Sequence, residues 1–268
     1  MPKRHTVHGV MNWPVITCIG TRMAEEIVAL VWLPVEGLIM RLTENELSNE
    51  NEHDMRHEKL HEVTLPIGAP LLMQAQTFPW NGDGYLAGEV LRLRDAHGVR
   101  MAVETGTCLG VTAAWLGEHF DHVATCEAHK PFLDLARAFI SDKPGSIIAH
   151  HGSSPEFVWT IADNAEAPML FFLDAHGISG SGKEACPLLD ELDAIAKAGV
   201  KPCIVIHDFQ VPGTDFGFDR FPDSGYPFSL EAIAPHLDRI YGKGGWKHAY
   251  PTKVEGARRG WISLEPMP

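Results

Sequence analysis

Residues 101–112 read Met-Ala-Val-Glu-Thr-Gly-Thr-Cys-Leu-Gly-Val-Thr, and this stretch decides the fold. A short apolar run at 101–103 ends in the acid Glu104. A turn holding Gly106 and Gly110 follows, then a helical stretch through Ala113, Ala114, Trp115 and Leu116. That is a strand handing over to a helix N-terminus, where free N–H groups make a ready ligand site. The two glycines are expected to let the backbone come close to something bulky, because a Cβ at either position would fill that space. Glu104 offers an acceptor to a cationic or hydroxylated ligand. The spacing E-x-G-x-x-x-G is not the dinucleotide G-x-G-x-x-G, because Cys108 stands where the second glycine belongs. A tight strand-to-helix turn without a ligand could use the same residues.

A second unit of the same kind follows. Residues 122–127, His-Val-Ala-Thr-Cys-Glu, form another short run ending in an acid, with Glu127 lying 23 residues beyond Glu104. In doubly wound nucleotide-binding folds an acid about 20 residues past the glycine turn accepts from ribose hydroxyls. The plain alternative is a solvated acid at a strand end. An amphipathic segment at 131–140, a third run at 146–149 and a Gly152-Ser153-Ser154-Pro155 turn come next.

From residue 98 the rhythm is strand, helix, strand, helix. Strands are predicted at 100–105, 122–127, 146–150, 168–174, 201–207, 246–251 and 260–265, with helices near 110–119, 131–140, 155–163, 186–198 and 229–241. Pro187 suits the first turn of its helix, Leu188, Leu192 and Ile195 share one face, and Gly199 supplies the stop. Such alternation implies a parallel sheet covered on both faces. The last two strands have no helix-length insert between them, so they should form an antiparallel hairpin. The expected fold is therefore α/β, doubly wound, with a mostly parallel seven-stranded sheet, a terminal antiparallel hairpin and an N-terminal extension.

Two buried-looking strands end in ionisable pairs. One runs from Pro168 into Asp174-Ala175-His176, the other from Pro202 into His207-Asp208. Four such groups at strand tips cost desolvation unless they pair or bind something. Each alone could be a hydrogen-bonded strand terminus; as a set beside the Glu104 turn they point to function.

The glycine turn resembles motif I of the class I S-adenosylmethionine (SAM)-dependent methyltransferases, and the seven strands with a terminal antiparallel pair match that architecture. Leu173-Asp174-Ala175-His176 and Ile206-His207-Asp208-Phe209 resemble the strand ends of the macrocin O-methyltransferase and cephalosporin hydroxylase-like group. The resemblance covers about 98–266. It implies SAM held by Glu104, Gly106, Thr107, Gly110, Thr112, Glu127, Gly152, Ser153 and Asp174, with the Gly152 turn near the adenine. It implies Mg²⁺ or another divalent ion on Asp174 and Asp208, and a catalytic set of Asp174, His176, His207 and Asp208. His176 and His207 stand where the group has acids, and imidazole suits softer metals than Mg²⁺. A histidine could instead serve as general base. Two other classes compete: a metal-dependent glycosyltransferase using Asp174-Ala175-His176 as a D-x-H motif, and a non-catalytic binding domain of the same fold. A ureohydrolase reading fails, because Ile178 stands where its second aspartate would be.

Composition narrows the partners. A net charge of −13 disfavours a phosphate backbone, and the longest basic clusters are the pairs Lys3-Arg4 and Arg258-Arg259. A small-molecule substrate is expected, with no nucleic acid and no membrane. Five cysteines without a C-x-x-C pair form no disulfide or zinc framework, which suits a cytoplasmic setting. Residues 1–62 read as an N-terminal extension, partly helical or linker, through which a homo-oligomer could form; 63–97 reads as a lid or lead-in, and 98–268 as the catalytic domain. Within the extension, 23–41 is expected to be a helix broken at Pro34. His53, His57 and His61 would share a helical face, but an exposed charged helix or linker explains them without a metal. The aromatic segment 209–228 either stacks on a substrate or packs a long loop onto the core.

Overall fold

The computed structural model of the protein describes the backbone of 17–23, 26–33 and 38–42, and residues 78–165, 168–176 and 186–267. The chain divides into two compact units, 1–70 and 71–268. In the first, β1 (Thr17–Met23), β2 (Glu26–Leu33) and β3 (Leu38–Leu42) form an antiparallel sheet in the order β1-β2-β3. This corrects the expectation of a helix over 23–41. The run Ile27-Val-Ala-Leu-Val-Trp-Leu33 is apolar without a break, and periodicity cannot separate a helix from a strand in such a run. Its β-branched residues and Trp32 favour the strand. Residues 63–77 of the lid or lead-in expected at 63–97, and the histidines at 53, 57 and 61, lie outside the described residues.

The second unit opens with a 3-10 turn, Pro79–Gly82, and α1 (Gly84–His97). Then come β4 (Met101–Thr105), α2 (Val111–His119), β5 (His122–Glu127), α3 (Lys130–Ile140), β6 (Ser146–His151) and α4 (Ser154–Asp163). The chain continues through β7 (Met169–Leu173), α5 (Leu188–Ala198), β8 (Cys203–His207), α6 (Leu230–Tyr241), β9 (Trp246–Ala249) and β10 (Trp261–Pro266). The seven strands lie in the order β6-β5-β4-β7-β8-β10-β9. The first five are parallel, and β10 runs antiparallel to both β8 and β9.

Burial explains the order. β7, Met-Leu-Phe-Phe-Leu, and β8, Cys-Ile-Val-Ile-His, are buried at every residue, as central strands covered on both faces must be. On one face Val103, Phe171, Leu173, Ile204 and Ile206 pack with Leu192, Ile195, Ile233 and Leu237 of the α5 and α6 side. α1 packs against β8 and β10. Its cap, Asp83, accepts from the N–H groups of Tyr85 at 2.9 Å and Leu86 at 3.2 Å. The other Asp83 oxygen accepts from Trp261 Nε1 at 3.2 Å, tying the helix start to β10. Among the described residues no helix is long and apolar enough to cross a membrane.

The chain leaves β4 toward β5 and β6 on one side, then returns to β7 on the other. That reversal puts the topological switch between the carboxyl ends of β4 and β7, where open parallel sheets open a crevice.

Candidate active site

The tip of β4 is the floor of that crevice. Glu104 is 1% exposed, and its Oε2 accepts from the Thr125 hydroxyl at 2.6 Å. Burial pushes its carboxyl up to about 8; the Thr125 hydrogen bond works against this, and the charges of Asp174 and Glu127 add to it. Gly106 and Gly110 both have positive φ, +83° and +78°. The reason for them differs from the one expected. A Cβ on Gly106 would lie 2.6 Å from the Asp174 carbonyl oxygen, and one on Gly110 would lie 3.1 Å from Ala136 Cβ and Ile140 Cγ2. What comes close to these glycines is the chain itself: the exit of β7 and helix α3.

Glu127 braces the turn. Its Oε2 accepts from Cys108 N at 2.9 Å and its Oε1 from His129 N at 2.8 Å. It therefore joins the tips of β4 and β5, each oxygen keeping a second lone pair for a ligand hydroxyl. Gly152 N donates to the Glu127 carbonyl at 3.1 Å, so the Gly152-Ser153 turn stands beside it.

A narrow cavity opens over the β4 tip, lined by Phe78, Trp80, Asn81, Glu104, Gly106, Thr107, Val111, Thr112 and Asp174. Five of the residues expected to hold a cofactor, Glu104, Gly106, Thr107, Thr112 and Asp174, are in this wall. Gly110, Glu127, Gly152 and Ser153 are not. Thr112 Oγ1 accepts from Trp80 N at 3.2 Å, anchoring the 3-10 turn over the helix start.

Beyond the cavity the four ionisable strand-tip groups meet. His207 Nδ1 lies 3.2 Å from Asp174 Oδ1 and 3.4 Å from Asp208 Oδ1. His176 Nε2 lies 3.0 Å from Asp208 Oδ2 and 3.5 Å from Asp174 Oδ1. Two residues not anticipated complete the cluster. Asp219 Oδ2 is 3.7 Å from His176 Nε2, and the Arg259 guanidinium donates to both Asp208 and Asp219. Three carboxylates thus face one guanidinium and two imidazoles. Burial disfavours the His176 cation, yet the Asp208 hydrogen bond and the charges of Asp174, Asp208 and Asp219 hold its pKa above the ordinary value. His207, also buried, is raised further by Asp208 and Asp174. Burial alone would raise Asp208, but the two histidines hold it well below the usual carboxylate range.

Asp219 arrives through the loop 209–228. Its N–H donates to the Asp208 carbonyl at 2.8 Å, and Phe228 N donates to the Asp219 carbonyl at 3.0 Å. Phe209 and Phe228 are fully buried, so these aromatics pack the loop onto the core. Phe228 also meets the His176 ring edge-on at 5.0 Å. A further buried acid went unanticipated: Glu191, 1% exposed in the first turn of α5, with Oε1 unpartnered among the described residues. Burial pushes its carboxyl up to about 7, against the pull of Ser154 and Thr105. Of these three additions, only Arg259 left a trace in the sequence, as half of the Arg258-Arg259 pair.

Asp174, His176 and Asp208 can present three ligand atoms within 4.8 Å of one another. One imidazole and two carboxylates suit Mn²⁺ or another first-row ion better than Mg²⁺.

No protein-family model matches the chain, and no curated protein does. Among solved structures it is similar to an O-methyltransferase from Bacillus cereus in complex with SAH, at 16% identity and a TM-score of 0.47, covering 69% of this chain and 81% of that one. It is similar to TomG from Streptomyces achromogenes, an O-methyltransferase in complex with SAM, at 16% identity, TM-score 0.47, covering 68% and 80%. The amino pentose methyltransferase CalS10 from Micromonospora echinaspora, bound to SAM, gives 15% identity, TM-score 0.45, and covers 79% and 100%. These neighbours are methyltransferases; at such similarity the likeness adds no weight to the argument from the site.

Proposed function

We propose that the protein is a SAM-dependent methyltransferase of the EC 2.1.1 class, directed to an oxygen of a small molecule or sugar-containing metabolite. The observation that carries the reading is the double membership of Asp174. It lines the cavity beside Glu104 and Gly106, and it also contacts His207 in the charged cluster. A cofactor in the cavity and a proton-accepting or cation-holding group would then be one side chain apart.

SAM supplies a methyl group on a sulfonium. The chain's part is to hold nucleophile, carbon and sulfur in line and to take up the nucleophile's proton. Asp174 would accept from the cationic end of such a ligand, Glu104 would join it only as it ionises near pH 8, and Glu127 would accept from ribose hydroxyls. His176 or His207, in its neutral form, accepts the proton; the Asp174, Asp208 and Asp219 carboxylates stabilise the imidazolium that results. A divalent ion held by Asp174, His176 and Asp208 would lower the pKa of an alcohol nucleophile. Arg259 supports the metal-free alternative, because it already supplies a fixed positive charge to Asp208 and Asp219. A cytoplasmic setting, a small-molecule substrate and a homo-oligomer through the N-terminal region belong to the same reading; the free thiols of Cys108, Cys126, Cys186 and Cys203 support the first of these.

Isothermal titration calorimetry with S-adenosylhomocysteine and with nucleotide sugars tests the assignment. Saturable binding of S-adenosylhomocysteine alone is expected. Binding of a nucleotide sugar alone would overturn it in favour of a glycosyltransferase.

A further inference from the structure

Two turns meet backbone to backbone between the cavity and the charged cluster. The first, Pro79–Gly82, places Trp80 and Asn81 in the cavity wall. The second, residues 255–259, carries Arg259 toward β10. The Asn81 carbonyl accepts from Ala257 N at 3.1 Å, and the Asp83 carboxylate accepts from Trp261 Nε1 at 3.2 Å. Between those bonds the main chains touch. A Cβ on Gly82 would lie 3.3 Å from Gly256 Cα, and one on Gly256 would overlap the Asn81 carbonyl oxygen.

Both turns hold unfavourable backbone. Trp80 and Asn81 have φ of +59° and +53°, and Arg258 has +55°, a region that residues with a Cβ seldom occupy. Such conformations persist only where the surroundings enforce them. Thr112 Oγ1 accepts the Trp80 N–H at 3.2 Å, and the Trp80 ring packs edge-on against Trp115 and Phe172. Asn81 is held through Ala257, so each turn is kept in shape partly by the other.

From Arg258 the path to the cluster is short. Gly217 N donates to the Arg258 carbonyl at 2.9 Å, and Gly260 N donates to the Gly217 carbonyl at 2.8 Å. The Arg259 stem is thereby laid across Gly217, where a Cβ would lie 3.1 Å from Arg259 Cδ. The guanidinium then donates to Asp208 and Asp219. Any movement of the 255–259 turn moves this clamp against two carboxylates carried by other segments. We propose that the seam couples the two halves of the active site: a cofactor filling the cavity holds the 79–82 turn and, through Asn81 and Ala257, fixes Arg259 on Asp208 and Asp219. The charged cluster is then fully assembled only when the methyl donor is in place. This rests on the cofactor reading above and adds to it a link between cofactor occupancy and the acceptor's site.

Hydrogen exchange read by mass spectrometry on the full chain, with and without saturating S-adenosylhomocysteine, tests the coupling. In the wild type the ligand should slow exchange at least about fivefold, the lower end of ordinary coupling between sites. The slowing should appear at 79–82 and also at 217–219 and 257–260, which lie outside the cavity wall. Slowing confined to the wall overturns the proposal. Gly256→Ala drives the two turns apart, so it should abolish the slowing at 217–219 and 257–260 and keep it at 101–112. Slowing that survives at the distant segments would mean that the signal passes through Asp174 and His207, and that outcome overturns the seam. Should Gly256→Ala fail to fold, Gly82→Ala is a milder wedge at the same contact, and the wild-type comparison decides without either variant. A wild type that shows no S-adenosylhomocysteine binding by calorimetry removes the cofactor reading and this proposal together. One that binds the ligand without slowing at 217–219 and 257–260 removes this proposal alone.

Discussion

Glu104 lies buried with one hydroxyl for company, and the consequence is a proton held at neutral pH. Its folded pKa is pushed up to about 8 against an ordinary value of 4.5. Between those values the folded chain binds a proton that the unfolded chain has lost. The acid therefore takes stability away as pH rises from about 4.5 to about 8 and takes no more beyond that. The whole effect is on the order of 5 kcal/mol, at roughly 1.4 kcal/mol per unit. Glu104→Gln keeps the shape and cannot ionise, so its stability advantage over the wild type should grow between pH 5 and pH 8 in urea unfolding. A constant difference across that range would mean Glu104 is ionised in the folded state. Gly106 carries a second prediction at this scale. Gly106→Ala forces a Cβ into the Asp174 carbonyl at a positive φ, so it should cost about 2–4 kcal/mol of stability, read as a lower Tm, and weaken ligand binding as well. An unchanged Tm with lost binding would restore the view that the glycine makes room for a ligand. Both residues were legible from their spacing. The partner that crowds Gly106 was not, because it comes from the exit of a strand about 70 residues later.

Asp83 does two jobs at the start of α1, capping its first turn and receiving the Trp261 indole N–H from β10. Asp83→Ala removes the cap and leaves a buried donor unmade, so it should cost about 2–4 kcal/mol in chemical denaturation, from the two separate losses. Asp83→Asn retains an acceptor for the cap and should cost less than half of that. Equal losses in the two variants would mean that the charge, and not the acceptor geometry, matters. Several elements of the second unit were legible because they announce their ends. Gly110 opens α2, and Pro187 and Gly199 frame α5, while β7 and β8 are short apolar runs; the ends of α1, at Asp83 and Gly98, come from the structure. The strands at 17–42 lack that contrast. An apolar run of the right length for half a helix or one whole strand carries no period, and only pairing decides it.

Across the whole molecule, the sheet order brings four distant segments to one point: the tips of β7 and β8, the loop carrying Asp219, and the approach to β10 carrying Arg259. The strand-tip pairs were readable because charge at the end of an apolar run is conspicuous. Asp219 and Arg259 were not, since their places depend on how Phe209 and Phe228 seat a loop and on Gly217 pairing with Arg259. Their presence changes how the chemistry divides. If a divalent ion activates the nucleophile, it must displace any proton from His176, because a cation cannot ligate. Methyl transfer should then fall at least tenfold with a chelator, recover with Mn²⁺ better than with Mg²⁺, and fall as far in Asp208→Asn. If a histidine is the base, chelation should leave the rate unchanged. The rate should rise with pH and level off, with its midpoint above the ordinary imidazole value, because Asp174 and Asp208 hold His176 and His207 in their charged forms. His176→Ala and His207→Ala then identify which one carries the proton. Arg259→Gln separates the cases independently: removing the guanidinium leaves Asp208 and Asp219 short of a cation, which should tighten Mn²⁺ binding measured directly by calorimetry. A variant that binds Mn²⁺ no better than the wild type would mean that Arg259 and the ion never compete, and that the ion, if it acts, sits on Asp174 and His176 alone.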